Sequence, residues 1–389
     1  MATIQRAYKT ALKPTKAQQA KLLHYSDVVR FCYNLFLSQS EEAYAATAKR
    51  PFTSALIKQF RANRPEWTAG ACSRCEETAA RMLDGGYKKF FEYHKTGKLS
   101  TMQKGKRPRK DGKPHGFPRF KSRFDGPVAC KFWGVKPEHV REDAIRLRGL
   151  GWLKLHENGY LTTEGAKLNC VAVSCRAGRW FVSLQVEQDG ATERAQGAPV
   201  GVDVGVKTLA VTSDGRQFEN PKALRRSLRQ LARLNRKLAR QEKGSSRRAD
   251  TKERLGRLYY RITNVRQDAT HKATAEIIGV NRPAEERPAA VGIETLNVKG
   301  MLQNRRLSRA ISDANLSELH RQLRYKAEWH GSSIIEADRF YPSSKTCSDC
   351  GHIVAELKLS ERTFHCPECG AVRDRDENAA VNLQKLCRV

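Results

Sequence analysis

The spacing of hydrophobic residues changes along this chain and divides it into segments. Residues 3–13 alternate around Ile4, Tyr8 and Leu12, the two-residue period of a strand. Pro14 ends the alternation, and Thr15 is placed to cap a helix. Residues 16–47 then read as mostly helical, with Leu22, Leu23, Val29, Phe31, Tyr33, Leu35 and Phe36 supplying apolar faces. Residues 53–62 and 71–95 continue the helical pattern. Tyr87, Phe90, Phe91 and Tyr93 enclose Lys88 and Lys89, a grouping that can stack on bases, although packing between helices explains it more simply.

Residues 126–188 turn to short β segments at 128–132, 144–147, 153–155, 169–173 and 180–186. Their spacing predicts a small barrel, joined by the first strand, with the helical region 16–100 inserted into it. A polar linker at 187–198 leads to a second pattern. Val200 to Val204 is an apolar strand interrupted by Asp203, followed by strands at 209–212 and 217–218 around an Asp214-Gly215 turn. No helix follows Gly201 and Gly205, so they are not a dinucleotide loop. Two long helices come next. Leu224, Leu228, Leu231, Leu234 and Leu238 form the seam of the first, and Leu255, Leu258, Ile262, Val265 and Ala269 that of the second, with Gly244-Ser245-Ser246 as the turn. Their outer faces are dense in Arg and Lys, which fits either a nucleic-acid channel or a solvated, salt-laced face. The strand 289–296 ends on Glu294, a helix covers about 311–329, and a strand covers 333–337. The last helix, Glu377 to Leu386, is opened by Asp376 and carries Ala379, Ala380, Leu383 and Leu386 on one stripe.

Composition narrows the function. The chain has 389 residues, room for two to four domains. Its formal net charge of +31 points to a polyanionic partner, nucleic acid first, against the alternatives of ribosomal-type binding or charge for solubility. Residues 104–123 hold nine Lys or Arg and one acid among Gly and Pro, and predict a mobile loop. Its end, Phe117 to Arg123, alternates apolar and basic residues and suits either an extended segment along a phosphate backbone or a solvated linker. The N-terminus has no apolar leader, and no apolar run is long enough for a membrane span. These features predict a reducing, intracellular setting: the cytoplasm, at the nucleoid, with no membrane partner.

Of eleven cysteines, Cys347, Cys350, Cys366 and Cys369 form two C-x2-C pairs separated by fifteen residues. Four thiolates on two tight turns can close a tetrahedron around one zinc ion, and leave no open position for chemistry. Cys72 and Cys75 form another C-x2-C, but with no second pair nearby and in a helical stretch they read as structural thiols. Three acids stand out by position: Asp203 inside an apolar strand, Glu294 at the end of another, and Asp376 at a helix start. A buried charge is costly unless paired or bound to metal. In the order strand hairpins, helices, strand, helix, strand, helix, these acids predict an RNase H-like layout in which they converge on two Mg²⁺ ions.

The motifs Gly201-Val202-Asp203-Val204-Gly205, Gly292-Ile293-Glu294, Tyr341-Pro342-Ser343-Ser344-Lys345-Thr346-Cys347 and Asp374-Arg375-Asp376-Glu377-Asn378-Ala379-Ala380 together resemble the TnpB family. These are transposon-encoded RNA-guided DNA endonucleases related to compact type V CRISPR effectors. The resemblance extends to Tyr8-Lys9, Phe117 to Ser122, Asp268 to Lys272 and Tyr325 to Trp329. It implies a multidomain α+β fold: a wedge β-barrel of residues 1–15 and 124–190 with a helical recognition insertion at 16–123, then a RuvC nuclease domain of 198–340 and 373–389 with a zinc ribbon at 341–372. It also implies that Asp203, Glu294 and Asp376 hold two catalytic Mg²⁺ ions, while Asp374 is only a neighbour, and that the four ribbon cysteines hold one structural zinc. The implied partners are a guide RNA from the transposon end and double-stranded target DNA with a short flanking motif. Tyr8, Lys9, Arg119, Lys121, Arg123, His271 and Lys272 are the candidate nucleic-acid contacts. A non-catalytic guided regulator and a DDE-type transposase are the alternatives.

Overall fold

A computed structural model describes residues 3–96, 112–114, 116–123, 126–190, 193–358 and 361–388. Residues 104–111 and 115 of the basic loop expected at 104–123 lie outside the described residues, as do residues 191 and 192 of the linker. The chain forms two compact units, one spanning Gln5–Gln188 and one beginning at Asp189.

The N-terminal unit opens with β1 (Thr3–Ala11) and α1 (Lys16–Thr47). Thr15 caps α1 as expected: its hydroxyl accepts from the Gln18 backbone, and the Gln18 side chain returns a bond to the Thr15 N–H. α2 (Thr53–Ala62) and α3 (Arg74–Thr96) pack with α1 through Leu22, Val29, Phe36, Phe60 and Leu83. Leu23 departs from the expected apolar face and is exposed. The β region holds β2 (Cys130–Phe132), β3 (Ala144–Leu147), β4 (Gly151–Lys154), β5 (Ala166–Arg176) and β6 (Arg179–Asp189). They form a four-stranded sheet ordered β1-β6-β5-β2 and a separate β3-β4 hairpin. The hairpin meets the end of β1 through a Leu12–Leu155 bridge and the bonds from Lys13 N to Lys154 O and from His156 N to Ala11 O. In place of the single barrel expected, the described strands form an open sheet and a hairpin that meet at the end of β1.

The C-terminal unit begins with β7 (Val200–Val204), β8 (Thr208–Thr212) and β9 (Gln217–Glu219). The hairpin helices α4 (Ala223–Arg240) and α5 (Ser246–Ile278) follow, with Ser245 capping α5. Their seam buries Leu231, Leu234, Leu258 and Ile262. It ends there, because Val265 faces solvent. β10 (Ala290–Ile293) stops one residue before Glu294. α6 (Val298–Met301) and α7 (Ser308–Ala314) lead to α8 (Leu316–His330). The single helix expected at 311–329 is broken at Asn315, which takes a left-handed conformation (φ 59°). The break frees Asp313 to accept from the backbone N–H groups of Leu224 and Arg225, which α4 leaves without a local cap, and from Arg266 Nε at 2.8 Å. β11 (Ser333–Glu336), β12 (Thr363–His365), β13 (Val372–Asp374) and α9 (Arg375–Lys385) complete the chain.

The main sheet is ordered β11-β10-β7-β8-β9. β7, β8 and β9 are antiparallel neighbours, whereas β10 and β11 run parallel to β7. Val200, Val202, Val291 and Ile293 face Ala273 and Ile277 of α5 and Leu319 and Leu323 of α8. Strand alternation sends Gly201, Asp203, Gly292 and Glu294 to the other face, where α9 lies. A Cβ at Gly201 would overlap the Ala380 carbonyl oxygen, and one at Gly292 that of Leu383. Glycine at these two positions lets α9 rest on the strands' backbone.

Candidate active site and metal centres

The register of the sheet brings the first two acids together. Ile293 pairs with Val202 in adjacent parallel strands, so Glu294 and Asp203 are the next residues on each. Both point to the α9 face, because they stand two residues beyond Gly292 and Gly201. The third acid follows from the helix. Gly201 meets Ala380. Moving from Gly201 to Asp203 advances about 6.6 Å along the strand. Stepping back four residues from Ala380 to Asp376 covers about 6 Å along α9. The two displacements match, and Asp376 arrives beside Asp203. The electrostatics agree. The Asp203 carboxyl is held well above the usual carboxylate range, by burial first and then by Glu294 and Asp376.

Asp374 and Asp376 divide two tasks. α9 starts at Arg375, earlier than its apolar stripe suggests, and Asp374 is its N-cap. Its Oδ1 accepts from the backbone N–H groups of Asp376 (2.9 Å) and Glu377 (3.2 Å). Asp376 keeps its carboxylate free of the cap, in the first turn, with Arg362 Nη1 3.6 Å from Oδ1. Asp374→Ala should therefore cost about 1 kcal/mol of stability through the lost cap while Mn²⁺ affinity stays near wild type. Asp376→Asn should do the reverse. Thermal melts beside Mn²⁺ titrations check both.

Two further residues enter the site that the sequence reading did not single out. Ser343 Oγ donates to Glu294 Oε1 at 2.6 Å and fixes that carboxylate from the Tyr341-Pro342-Ser343-Ser344 turn. Arg362 reaches Asp376 from the segment before β12. Ser343 lay within a quoted motif, so its burial was the missing information. Arg362 sits in a basic chain with 72 Lys and Arg, and nothing in its neighbourhood distinguishes it. Arg362 also lines a cavity of about 730 Å³ together with Lys207, Lys222, Arg225, Arg305 and Arg309. The cavity wall is thus strongly cationic and shares Arg362 with the acid cluster.

The raised Asp203 pKa has a measurable consequence. The folded chain holds a proton that the unfolded chain has already lost between the ordinary carboxyl range and the raised value. Stability of the metal-free protein therefore falls as pH rises through that window. Asp203→Asn removes the penalty. It should raise the melting temperature of the metal-free protein at neutral pH by roughly 2–4 °C, for about 1 kcal/mol. Added Mg²⁺ should shrink or reverse the difference. Melts with and without Mg²⁺ at two pH values test this.

The four ribbon thiols form the second centre. Cys347 Sγ is 3.7 Å from Cys369 Sγ, Cys350 Sγ is 3.6 Å from Cys366 Sγ, and all four lie within 4.8 Å of one another. A zinc–sulfur bond of about 2.3 Å gives a tetrahedral edge of about 3.8 Å, so the cluster fits zinc. Burial opposes ionisation of Cys347, but the N–H groups of Cys350 and Asp349 bring its thiol down to about 7. The β12-β13 hairpin carries the second pair, and Phe364 fills the small core between them. The ribbon base is wired to α9: Asn378 Nδ2 and Asn382 Nδ2 both donate to the Thr346 carbonyl, at 2.7 and 2.6 Å, and Ser348 N–H donates to Asn378 Oδ1 at 2.8 Å. Both asparagines are buried.

Comparison with known proteins now adds identity. A protein of Streptomyces pristinaespiralis with the provisional name RNA-guided DNA endonuclease is 32% identical over 98% of this chain and 89% of its own length. The chain belongs to the TnpB family. InsQ of Escherichia coli K12, another family member with the same provisional name, is 29% identical over 97% of this chain and 91% of its own. Three family models match: "Probable transposase" over residues 181–305, "Cas12f1-like, TNB domain" over 317–383, and "Helix-turn-helix domain" over 1–49. Within the last range the described residues form one strand and one long helix, β1 and α1. The solved structure of a Cas12f1–sgRNA–target DNA complex matches at a TM-score of 0.53 and 13% identity, covering 98% of this chain and 99% of that one. The TnpB-family fold is therefore a mixed α/β fold of the compact-effector type.

The candidate nucleic-acid residues are dispersed. In the N-terminal unit, Tyr8 donates to Gln188 Oε1 and stacks edge-on against Tyr160, and Lys9 Nζ lies 5.1 Å from the Phe181 ring centre. Arg119 and Arg123 are exposed. Lys121 exchanges two backbone bonds with the Asn34 side chain and lies over the Tyr33 ring. Phe117 packs on Tyr87 and Phe90. The 117–123 segment is thus fastened to α1 and α3 rather than being a free linker. In the C-terminal unit, the His271 carbonyl accepts from the buried Lys326 Nζ, and Lys272 pairs with Asp268 one turn away. No helix among the described residues is long and apolar enough to cross a membrane.

Proposed function

We propose that this chain is an RNA-guided, Mg²⁺-dependent DNA endonuclease that hydrolyses phosphodiester bonds by a two-metal mechanism. The observation that carries this reading is the convergence of Asp203, Glu294 and Asp376 on one face of the sheet under α9. Three hard carboxylate ligands without a full set of basic partners suit two divalent cations. Asp203, Glu294 and Asp376 would hold these ions, which when bound would activate a water and stabilise the leaving oxygen. Asp203 forms the floor, Ser343 holds Glu294 in its rotamer, and the Asp374 cap orients the turn that presents Asp376. Arg362 and the cationic cavity wall accept the phosphate backbone.

The order β11-β10-β7-β8-β9, with only β8 antiparallel among the three central strands, supports an RNase H-like RuvC domain over 198–340 and 373–389 with a zinc ribbon at 341–372. The sheet and helices of the N-terminal unit support the wedge and recognition insertion, at 1–15 with 124–190 and at 16–123. The partners in this reading are a guide RNA from the transposon end and double-stranded target DNA with a short flanking motif, and Tyr8, Lys9, Arg119, Lys121, Arg123, His271 and Lys272 are the candidate nucleic-acid contacts. The relatives' names support the same activity. All three acids are in place, which weighs against a non-catalytic regulator.

The test is to purify the protein, sequence the RNA that accompanies it, and offer duplex DNA matching that RNA across a library of flanking sequences. Cutting in Mg²⁺ is expected. Stable guided binding without cutting under any flank would select the regulator instead.

A further inference from the structure

Phe340 is 84% exposed, the largest value for any bulky apolar side chain among the described residues. A lone apolar ring on a surface loop is ordinary. This one stands in a turn that is fastened on both sides to the acid cluster. Before it, Ala337 N–H donates to the Ile293 carbonyl at 2.9 Å, and the Ala337 carbonyl accepts from Thr295 Oγ1 at 2.7 Å. These two bonds grip the chain on either side of Glu294. After it, Ser343 Oγ donates to Glu294 Oε1 at 2.6 Å, and the Ser343 carbonyl accepts from the buried Asn382 Nδ2 at 2.8 Å.

The turn is also closed internally. Tyr341 N–H donates to the Asp338 carbonyl at 3.0 Å, and Phe340 N–H donates to Asp338 Oδ1 at 3.2 Å. The Tyr341 side chain is used on α9, where its hydroxyl lies 3.5 Å from the Asn382 carbonyl oxygen, whereas the Phe340 ring is left in solvent. The Arg339 guanidinium lies over that ring, 5.4 Å from its centre, and places a cation on one face. A fixed backbone that presents an aromatic ring with an arginine beside it has the makings of a stacking platform. Every base offers a π-face to such a ring, and the cation suits the phosphates on either side of that base. Three residues separate Phe340 from Ser343, a span of at most about 11 Å. A base lying on the ring therefore belongs to a strand that reaches Glu294 within a few nucleotides.

We propose that Phe340, backed by Arg339, is a stacking platform for one unpaired base of the DNA strand being cut; this rests on the nuclease reading above. A base inside a duplex already has both faces covered, so the ring engages the strand only where it is open. Phe340 holds no metal and moves no proton. Its contribution is to fix the register of the strand over Asp203, Glu294 and Asp376, because a displacement at phosphorus needs the scissile phosphate held in one place. The bonds from Ser343 and Thr295 make the platform and Glu294 parts of one rigid piece, so the base and the phosphate are positioned together.

Binding of short single strands tests this without any cleavage. The full-length protein as purified is titrated with a short oligothymidylate and with an abasic backbone of the same length and charge, both followed by fluorescence anisotropy. Phe340→Ala should weaken the oligothymidylate by roughly 5- to 20-fold and leave the abasic backbone unchanged. Phe340→Trp should bind like wild type, and Phe340→Leu, apolar but not planar, should bind like the alanine variant. The melting temperature should not move, since the ring is exposed. With 5-iodouracil in the strand, irradiation should give an adduct on Phe340, located by peptide mass spectrometry. Equal affinity of wild type and Phe340→Ala for oligothymidylate, with no adduct on Phe340, would overturn the proposal, and so would an equal loss for both ligands. Because the assay reads binding alone, its failure would leave guided cleavage standing, and a protein that never cuts DNA could still show the stacking.

Discussion

Glu294→Gln should lower guided DNA cleavage by roughly 10³-fold, about 4 kcal/mol of transition-state stabilisation, while guide RNA and target DNA stay bound. The size of the effect follows from position. Glu294 sits one residue past the end of β10, level with Asp203 on β7, and its Oε1 is already fixed by Ser343. Glutamine keeps the shape and the hydrogen bond from Ser343 but loses the charge that a divalent cation needs. Binding should survive, because the positive charge that attracts nucleic acid is spread over a chain with a net +31. Single-turnover cleavage beside a mobility-shift assay separates the two. A loss of binding equal to the loss of cleavage would show that Glu294 acts structurally.

The second large effect is expected from the ribbon, at a distance from the acids. Cys366→Ser should release the ribbon zinc and slow cleavage by about 10²-fold. A structural zinc contributes on the order of 10–16 kcal/mol to the folding of a small ribbon, so its loss unfolds the hairpin that carries Arg362 and leads into Asp374. The Thr346 carbonyl, held by Asn378 and Asn382, then loses its fixed place, and the first turn of α9 with it. A shift of about 1 Å in a catalytic group costs roughly 10²-fold in rate. Metal analysis and single-turnover rates on the same preparation decide it. A zinc-free variant that cuts at the wild-type rate would show that the ribbon and Asp376 are uncoupled.

Much of this arrangement is legible in the sequence, and the unread remainder has physical causes. Asp203 announces itself because a charge inside Val202 and Val204 needs a partner, and the cysteine spacing specifies a tetrahedron without any fold. The long-range contacts are not legible. That Cys130 meets Cys75, or that Asp313 caps α4, depends on tertiary packing that no local window contains. Local signals also mislead at element ends. The apolar stripe of α9 begins after Asp376, but the helix begins earlier because Asp374 offers a cap. The helix through 311–329 breaks at Asn315, a residue that tolerates the left-handed region, and periodicity alone does not register the break. Gly201 and Gly292 could be read as flexible strand residues. Their use is to let a helix approach the backbone, and that requirement is visible only once α9 is in place.

The central claim is that three acids distant in sequence make one centre for two divalent ions. Mn²⁺ binding measured by titration with electron paramagnetic resonance tests it most directly. Two bound ions are expected in the wild-type protein with guide and target, with a spin-coupled signal from their proximity, and the signal should disappear in each of Asp203→Asn, Glu294→Gln and Asp376→Asn. Two uncoupled ions, or a coupled pair that survives any one of the three substitutions, would contradict it.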